Sequence, residues 1–91
     1  MIDRQAILDE LKRVLTPYVE NKESLNNLND QTELIRDLKI NSANLVDIVI
    51  DTESEYNIEI DMDSAEKMLT IGSCIDIISE KMAQLNDKRG Q

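Results

Sequence analysis

Histidine is absent from the 91 residues. That removes the commonest general base and the commonest metal-ligating side chain. A single cysteine excludes an intramolecular disulfide and a cysteine-rich zinc site. Phenylalanine and tryptophan are also missing, and Tyr18 and Tyr56 are the aromatic side chains. The core must therefore be built from Ile, Leu, Val and Met. Two glycines and one proline leave little material for tight turns, which favours helices. No apolar run approaches the ~20 residues of a membrane span. The polar start Met1-Ile2-Asp3-Arg4 and the lone cysteine point to a reducing cytoplasm. Bases are scarce as well: 10 Lys and Arg stand against 19 Asp and Glu, giving a net charge of −9. Such a chain repels nucleic acid and anionic lipid and attracts basic protein surfaces. Its length suits one small domain, expected to span residues 1–91 as a monomer. No acid–base pair with a pocket can be named, so an enzyme is not expected.

What is present is helical periodicity. Ile7/Leu8, Leu11, Val14/Leu15 and Tyr18 recur every three to four residues behind Asp3, a candidate N-cap. Pro17 is expected to end that helix, or to open a new turn with Thr16 as its cap. Residues 20–33 are rich in Asn, Ser and acids and read as a long loop anchored by Leu25 and Leu28. Asn41-Ser42 offers a cap pair for a second helix through Tyr56. One stripe of that helix is Leu45, Val49, Thr52 and Tyr56, and an adjacent stripe is Ala43, Val46 and Ile50. Asn57–Ile60 reads as an extended link. Asp61 or Asp63 then caps a brief helix reaching about Leu69. Thr70 caps a last helix with Ile71, Cys74/Ile75, Ile78 and Met82 on its core stripe, Cys74 being a small buried hydrophobe. Met62, Met68 and Met82 are read as core or rim fillers, and residues 86–91 as a frayed tail. The fold class is all-α, with three longer helices and a short third one.

Charge is unevenly placed. Between Asn41 and Glu66 lie eight acids (Asp47, Asp51, Glu53, Glu55, Glu59, Asp61, Asp63 and Glu66) and no base. The remainder is nearly balanced. Like charges at Asp47/Asp51 and Asp51/Glu55 cost about 0.2–0.5 kcal/mol each on a helix. A segment that accepts this reads as a docking face for basic partners rather than a merely solvated surface. A calcium loop opening at Asp61 fails, because its sixth and twelfth positions hold Glu66 and Gly72 instead of Gly and Glu.

The string Asp37-Leu38-Lys39-Ile40-Asn41-Ser42-Ala43-Asn44-Leu45-Val46-Asp47 resembles the acyl carrier protein signature, D-L-G-x-D-S-L-x-x-V-E/D. Ile58-Glu59-Ile60 resembles that family's link before its third helix. Ala65-Glu66-Lys67-Met68-Leu69-Thr70-Ile71-Gly72 resembles its A-E-K-I-x-T-V-G stretch. The likeness covers about residues 34–80. It implies a four-helix bundle with Ser42 modified by 4′-phosphopantetheine, whose thiol carries acyl groups as thioesters between enzymes of fatty-acid, polyketide or related lipid biosynthesis. The implied partners are a phosphopantetheinyl transferase and acyl-transferring, ketosynthase or acyl-activating enzymes with basic docking patches. The implied partner face comprises Ala43, Val46, Asp47, Ile50 and Glu53, with Glu66 on the third helix.

Four departures surround Ser42 and the link: Asn41 for Asp, Ala43 for Leu, Lys39 for Gly and Asp61 for Pro. They suggest a specialised carrier with dedicated partners. The other readings are a free-standing peptidyl or aminoacyl carrier, and an unmodified acidic helical adaptor that lost the arm.

Overall fold

The computed structural model describes residues 3–89. Asp3 is extended, and its carboxylate accepts from the Gln5 N–H at 3.0 Å, opening α1 (Arg4–Leu15). Such a cap contributes about 1 kcal/mol. Ile7, Leu11 and Leu15 are buried along one stripe of α1, with Leu8, Val14 and Tyr18 packed against the core edge. α1 ends before Pro17, and Thr16–Tyr18 form a 3-10 turn with proline in its first positions; Thr16 is not its cap but the C-cap of α1, its hydroxyl donating to the Lys12 carbonyl at 2.6 Å, and the chain leaves extended at Val19.

The expected loop over residues 20–33 is corrected by the structure. Lys22–Asn27 form a 3-10 helix, capped by Asn21 Oδ1 accepting from the Glu23 N–H at 3.0 Å, with Leu25 buried. The Lys22 ammonium donates to the Val19 carbonyl at 2.7 Å and also to that of Thr16. The Asn29 N–H donates to Thr32 Oγ1 at 3.0 Å, and Thr32 is buried. Polar side chains that looked like loop formers instead serve as local hydrogen-bond partners.

Beyond this, the chain lies against the start of α4 (Ile71–Arg89). The Ile71 and Gly72 N–H groups donate to the carbonyls of Thr32 (2.9 Å) and Asp30 (3.0 Å), and the Leu34 N–H donates to that of Leu69 (3.0 Å). First-turn donors of a helix have no partner within it; here the neighbouring segment supplies two. Thr70 supplies the cap, its Oγ1 accepting from the Ser73 N–H at 3.1 Å.

α2 (Leu45–Tyr56) ends at Asn57 in the left-handed conformation, φ 55°. Ile58 and Ile60 of the link are buried while Glu59 is exposed, as an extended segment over a core requires. α3 (Met62–Glu66) is capped by Asp61, and Asp61 also pairs with Lys81 of α4 at 2.9 Å. It is shorter than the expected run to Leu69, and Leu69 is half exposed.

The core is aliphatic throughout: Ile7, Leu11, Leu15 and Leu34 meet Ile40, Ile48, Ile60 and the α4 side chains Ile71, Cys74, Ile75, Ile77 and Ile78. Two expectations fail here. Ile48, on neither predicted stripe, is the most buried aliphatic residue of α2, and Met62 is 78% exposed. Of the tail over residues 86–91, the backbone is helical through Arg89, and residues 90–91 lie outside the described residues. The result is an all-α bundle of three longer helices and a short third one. Among the described residues no helix is long and apolar enough to cross a membrane.

Candidate functional site

The site is built by the turn that precedes α2. The Asp37 and Leu38 N–H groups donate to the Glu33 carbonyl at 3.0 and 3.2 Å, and the Ile40 N–H donates to that of Leu34 at 3.1 Å. The Asp37 carboxylate accepts from the Glu33 N–H at 2.8 Å. Closing the turn puts Lys39 in the left-handed region, φ 57°. That conformation costs a residue bearing a Cβ about 1–2 kcal/mol and explains why glycine suits this position. Ile40 is buried and fixes the exit.

Asn41 then caps the helical segment. Its Oδ1 accepts from the Ala43 N–H at 2.9 Å, and its carbonyl accepts from the Asn44 N–H at 2.8 Å. Ser42 is therefore not the cap; it is the first residue of the 3-10 turn Ser42–Asn44, which runs straight into α2. Its hydroxyl is exposed at the positive end of a helical dipole, and the neighbouring asparagine does the capping work.

The other predicted residues divide. Ala43 of the 3-10 turn and Val46, Asp47 and Ile50 of α2 are all exposed and recur at helical spacing, with Val46 66% and Ile50 53% exposed. Glu66 is exposed on α3. Glu53 differs: it is half-buried, and its carboxylate accepts from the Ile60 N–H at 2.7 Å, bracing the link. Sequence reasoning missed Met62 and Leu69 as exposed apolar side chains. For Met62 the signal was its place directly after the Asp61 cap, at the mouth of a five-residue helix.

The opposite side of α2 is tied to α1. The Tyr18 hydroxyl donates to Asp51 at 2.5 Å, and that bond, with burial, pushes the phenol up to about 12. The Tyr56 hydroxyl donates to the Ile7 carbonyl at 3.0 Å. Burial, then the charges of Glu10 and Glu55, pushes that phenol up to about 12. Glu55 is raised by sharing a hydrogen bond with Glu10, which is itself lowered by it.

Surface cavities lie elsewhere. An open cavity of about 560 Å³ sits at the far end of α2, between residues 57–61 and the α4 side chains Lys81 and Gln84. Another is lined by Arg13, Val14, Pro17, Asp51, Ser54 and Glu55. Ser42 is exposed and lines neither cavity. Such a group is suited to be acted upon by a second protein.

No family model matches the chain. An acyl carrier protein of Thermotoga maritima is 32% identical over 82 residues, spanning 90% of this chain and 99% of the relative. One from a Picosynechococcus species is 31% identical, spanning 85% and 93%. In fold, the chain is similar to a solved structure of the acyl carrier protein from Enterococcus faecalis, with TM-score 0.72 and 24% identity, over 88% of this chain and 99% of that one. With a relative matched at this identity across nearly its whole length, on a fold that leaves the signature serine exposed at the head of the second helix, the chain belongs to the acyl carrier protein family.

Proposed function

We propose that the Ser42 hydroxyl is the covalent attachment point for 4′-phosphopantetheine, and that the chain hands acyl groups between enzymes of fatty-acid, polyketide or related lipid biosynthesis. The observation that carries this reading is the exposed Ser42 hydroxyl beside a cap already made by Asn41. A phosphodiester at that oxygen would sit at the positive end of the helical segment, which favours it by about 0.3–1 kcal/mol. The residues present therefore fit the group. When bound, it supplies a thiol that holds an acyl group as a thioester; the protein supplies the mounting point and the surface that partners read.

Attachment is performed by a phosphopantetheinyl transferase using coenzyme A. Ser42 Oγ forms the bond to the phosphorus that bears pantetheine. The bond from that phosphorus to the adenosine-bearing phosphate breaks, 3′,5′-adenosine bisphosphate leaves, and the hydroxyl proton passes to the transferase. The chain is a substrate and a carrier in this scheme, not a catalyst.

Ala43, Val46, Asp47, Ile50 and Glu66 form the partner face, apolar side chains flanked by acids. Glu53 contributes charge near it while holding the link through Ile60. The departures at Lys39, Asn41 and Ala43 surround the attachment point and suit a carrier with dedicated partners. Such a chain would support bulk fatty-acid elongation poorly compared with an ordinary carrier.

The test is intact mass after incubation with coenzyme A and a broad-specificity transferase. One phosphopantetheine on the native chain and none on Ser42→Ala is the expected result. No addition to either, even with the transferase of its own cell, would instead favour the unmodified adaptor.

A further inference from the structure

Met62 and Met68 stand close in the chain and are used in opposite ways. Met68 is buried in the core, whereas Met62 is 78% exposed, more than any other large apolar side chain among the described residues. Its place follows from α2. Val46, Ile50 and Glu53 are spaced i, i+4 and i+7, so they share one side of that helix. The Glu53 carboxylate accepts from the Ile60 N–H at 2.7 Å, so the link runs out from the foot of that same side. Ile58 and Ile60 are buried and hold the link down. Met62 then opens α3 behind its Asp61 cap. Met62 therefore stands past the end of the Val46–Ile50 stripe, on the side that Glu53 marks, and Ser42 stands about one turn before its start.

Charge along this stripe is of one sign. Asp47, Asp63 and Glu66 are exposed, and Glu53 is half-buried. Asp51 and Glu55 are turned to α1, where Asp51 accepts from Tyr18 and Glu55 shares a hydrogen bond with Glu10. Asp61 is balanced by Lys81 at 2.9 Å. Against Asp47, Glu53, Asp63 and Glu66 stands one base, Lys67, so the stripe stays acidic. A second copy of the chain would bring the same acids against these, which disfavours self-association on this side. A basic surface is attracted instead.

An enzyme that bonds phosphorus to Ser42 Oγ has to lie over the start of the stripe. From Ser42 to Glu53 the helical segment rises roughly 17 Å. A specific interface covers about 800 Å² of each partner, a patch roughly 30 Å across. One such footprint centred on α2 takes in Met62 as well as Ser42. Methionine is unbranched and polarizable, so it fills an irregular apolar socket that a stiff side chain would not.

We propose that Met62 is an anchor for docking, and that it inserts into an apolar socket rimmed by Lys and Arg on the phosphopantetheinyl transferase that loads Ser42. This rests on Ser42 being the attachment point, and it carries the partner face beyond Ile50 onto α3. The acids steer the encounter, whereas the thioether and the aliphatic side chains of Val46 and Ile50 hold it.

The experiment measures phosphopantetheine loading by intact mass, with coenzyme A and the transferase from the same cells. Met62→Ala should raise KM for the carrier about five- to twentyfold with kcat little changed, and Met62→Glu should raise it further. Met62→Leu, which keeps the apolar volume, should stay within about threefold of native. Leu69→Ala trims another exposed apolar side chain, beyond the end of α3, and should load as native does. Raising salt should raise KM for the native chain and leave the ratio between Met62→Ala and native unchanged, because the rim is ionic and the socket is not. Each variant should unfold close to the native Tm, since Met62 and Leu69 both stand at least half in solvent. Unchanged KM in both Met62→Ala and Met62→Glu would overturn the proposal. So would an equal rise in Leu69→Ala, or native loading that is indifferent to salt. A Met62-dependent dimer in sedimentation, with loading unaltered, would give the residue to a second copy and overturn it as well. Those results defeat the docking claim alone, whereas no loading of any chain, native included, defeats the Ser42 reading and this one with it.

Discussion

α2 and α4 carry similar aliphatic side chains and use them in opposite ways. In α4, Ile71, Cys74, Ile75, Ile77 and Ile78 are all buried. In α2, which has Leu45, Val46, Ile48, Val49 and Ile50, Ile48 alone of these is fully buried, and Val46 and Ile50 stand mostly in solvent. The difference lies in what surrounds each helix. α4 is flanked by α1 and by the Asp30–Leu34 segment that pairs with its first turn. α2 packs through one side and is pinned by Tyr18 and Tyr56. Apolar content thus says that a helix has an interface, and packing decides whether the interface is permanent. α4 is the post of the bundle, while α2 leaves a strip of apolar surface in solvent, the strip that the proposed partner face would use.

The contrast is broken most forcefully by truncation. Ile78→Ala should cost about 2–5 kcal/mol in urea unfolding, because it leaves a cavity in the aliphatic core. Val46→Ala and Ile50→Ala should stay within about 0.5 kcal/mol and instead raise KM for partner enzymes. Equal losses from the two helices would remove the distinction.

Adding a methyl group sharpens it next. A Cβ at Gly72 would lie 2.9 Å from both the Cβ and the carbonyl oxygen of Asp30. Backbone cannot swing aside as a side-chain tip can, so Gly72→Ala should cost about 1–3 kcal/mol. A Gly72→Ala chain as stable as the native would show that the Asp30–Leu34 segment does not clasp α4.

Alkaline pH separates the two helices more gently. Burial pushes the Cys74 thiol of α4 up from 9.0 to about 12. Tyr56 of α2 and Tyr18 rise from 10.0 to about 12. Each raised pKa favours the protonated, folded form, so this stability is complete below the unfolded value and fades as pH rises toward the folded one. Stability should therefore hold up to about pH 9 and fall between 9 and 12, the cysteine contributing first. Tyr56→Phe should flatten part of the fall above pH 10 and leave the onset near 9 unchanged. An unaltered slope would mean that the Tyr56 contact with Ile7 does not hold α2.

Much of this was legible in the sequence because capping is local. Asp3, Asn41, Asp61 and Thr70 each bind an N–H two or three residues on, and each marks a real helix or turn start. Pro17 and the α4 stripe follow from equally short-range rules. The misread features depend on distant chain. Residues 20–33 fold because Asn21, Asn29 and Thr32 satisfy local backbone while Leu25 and Thr32 find the core. Ile48 was missed because α2 carries apolar side chains on most of its sides, and only the neighbouring helices choose which side is buried. Glu53 looked like one more docking acid until the link brought the Ile60 N–H to it. Around Ser42, the sequence showed the serine and its substituted neighbours; that Asn41 caps while Ser42 stays exposed, and that Lys39 is left-handed, needed coordinates.

The most direct measurement is fragment-ion mass spectrometry of the chain purified from its native host. The account predicts phosphopantetheine on the peptide spanning the Asn41–Asn44 corner, with the fragments placing it on the oxygen of Ser42. The same group on a different serine, or a bare Ser42 under every growth condition sampled, would contradict it.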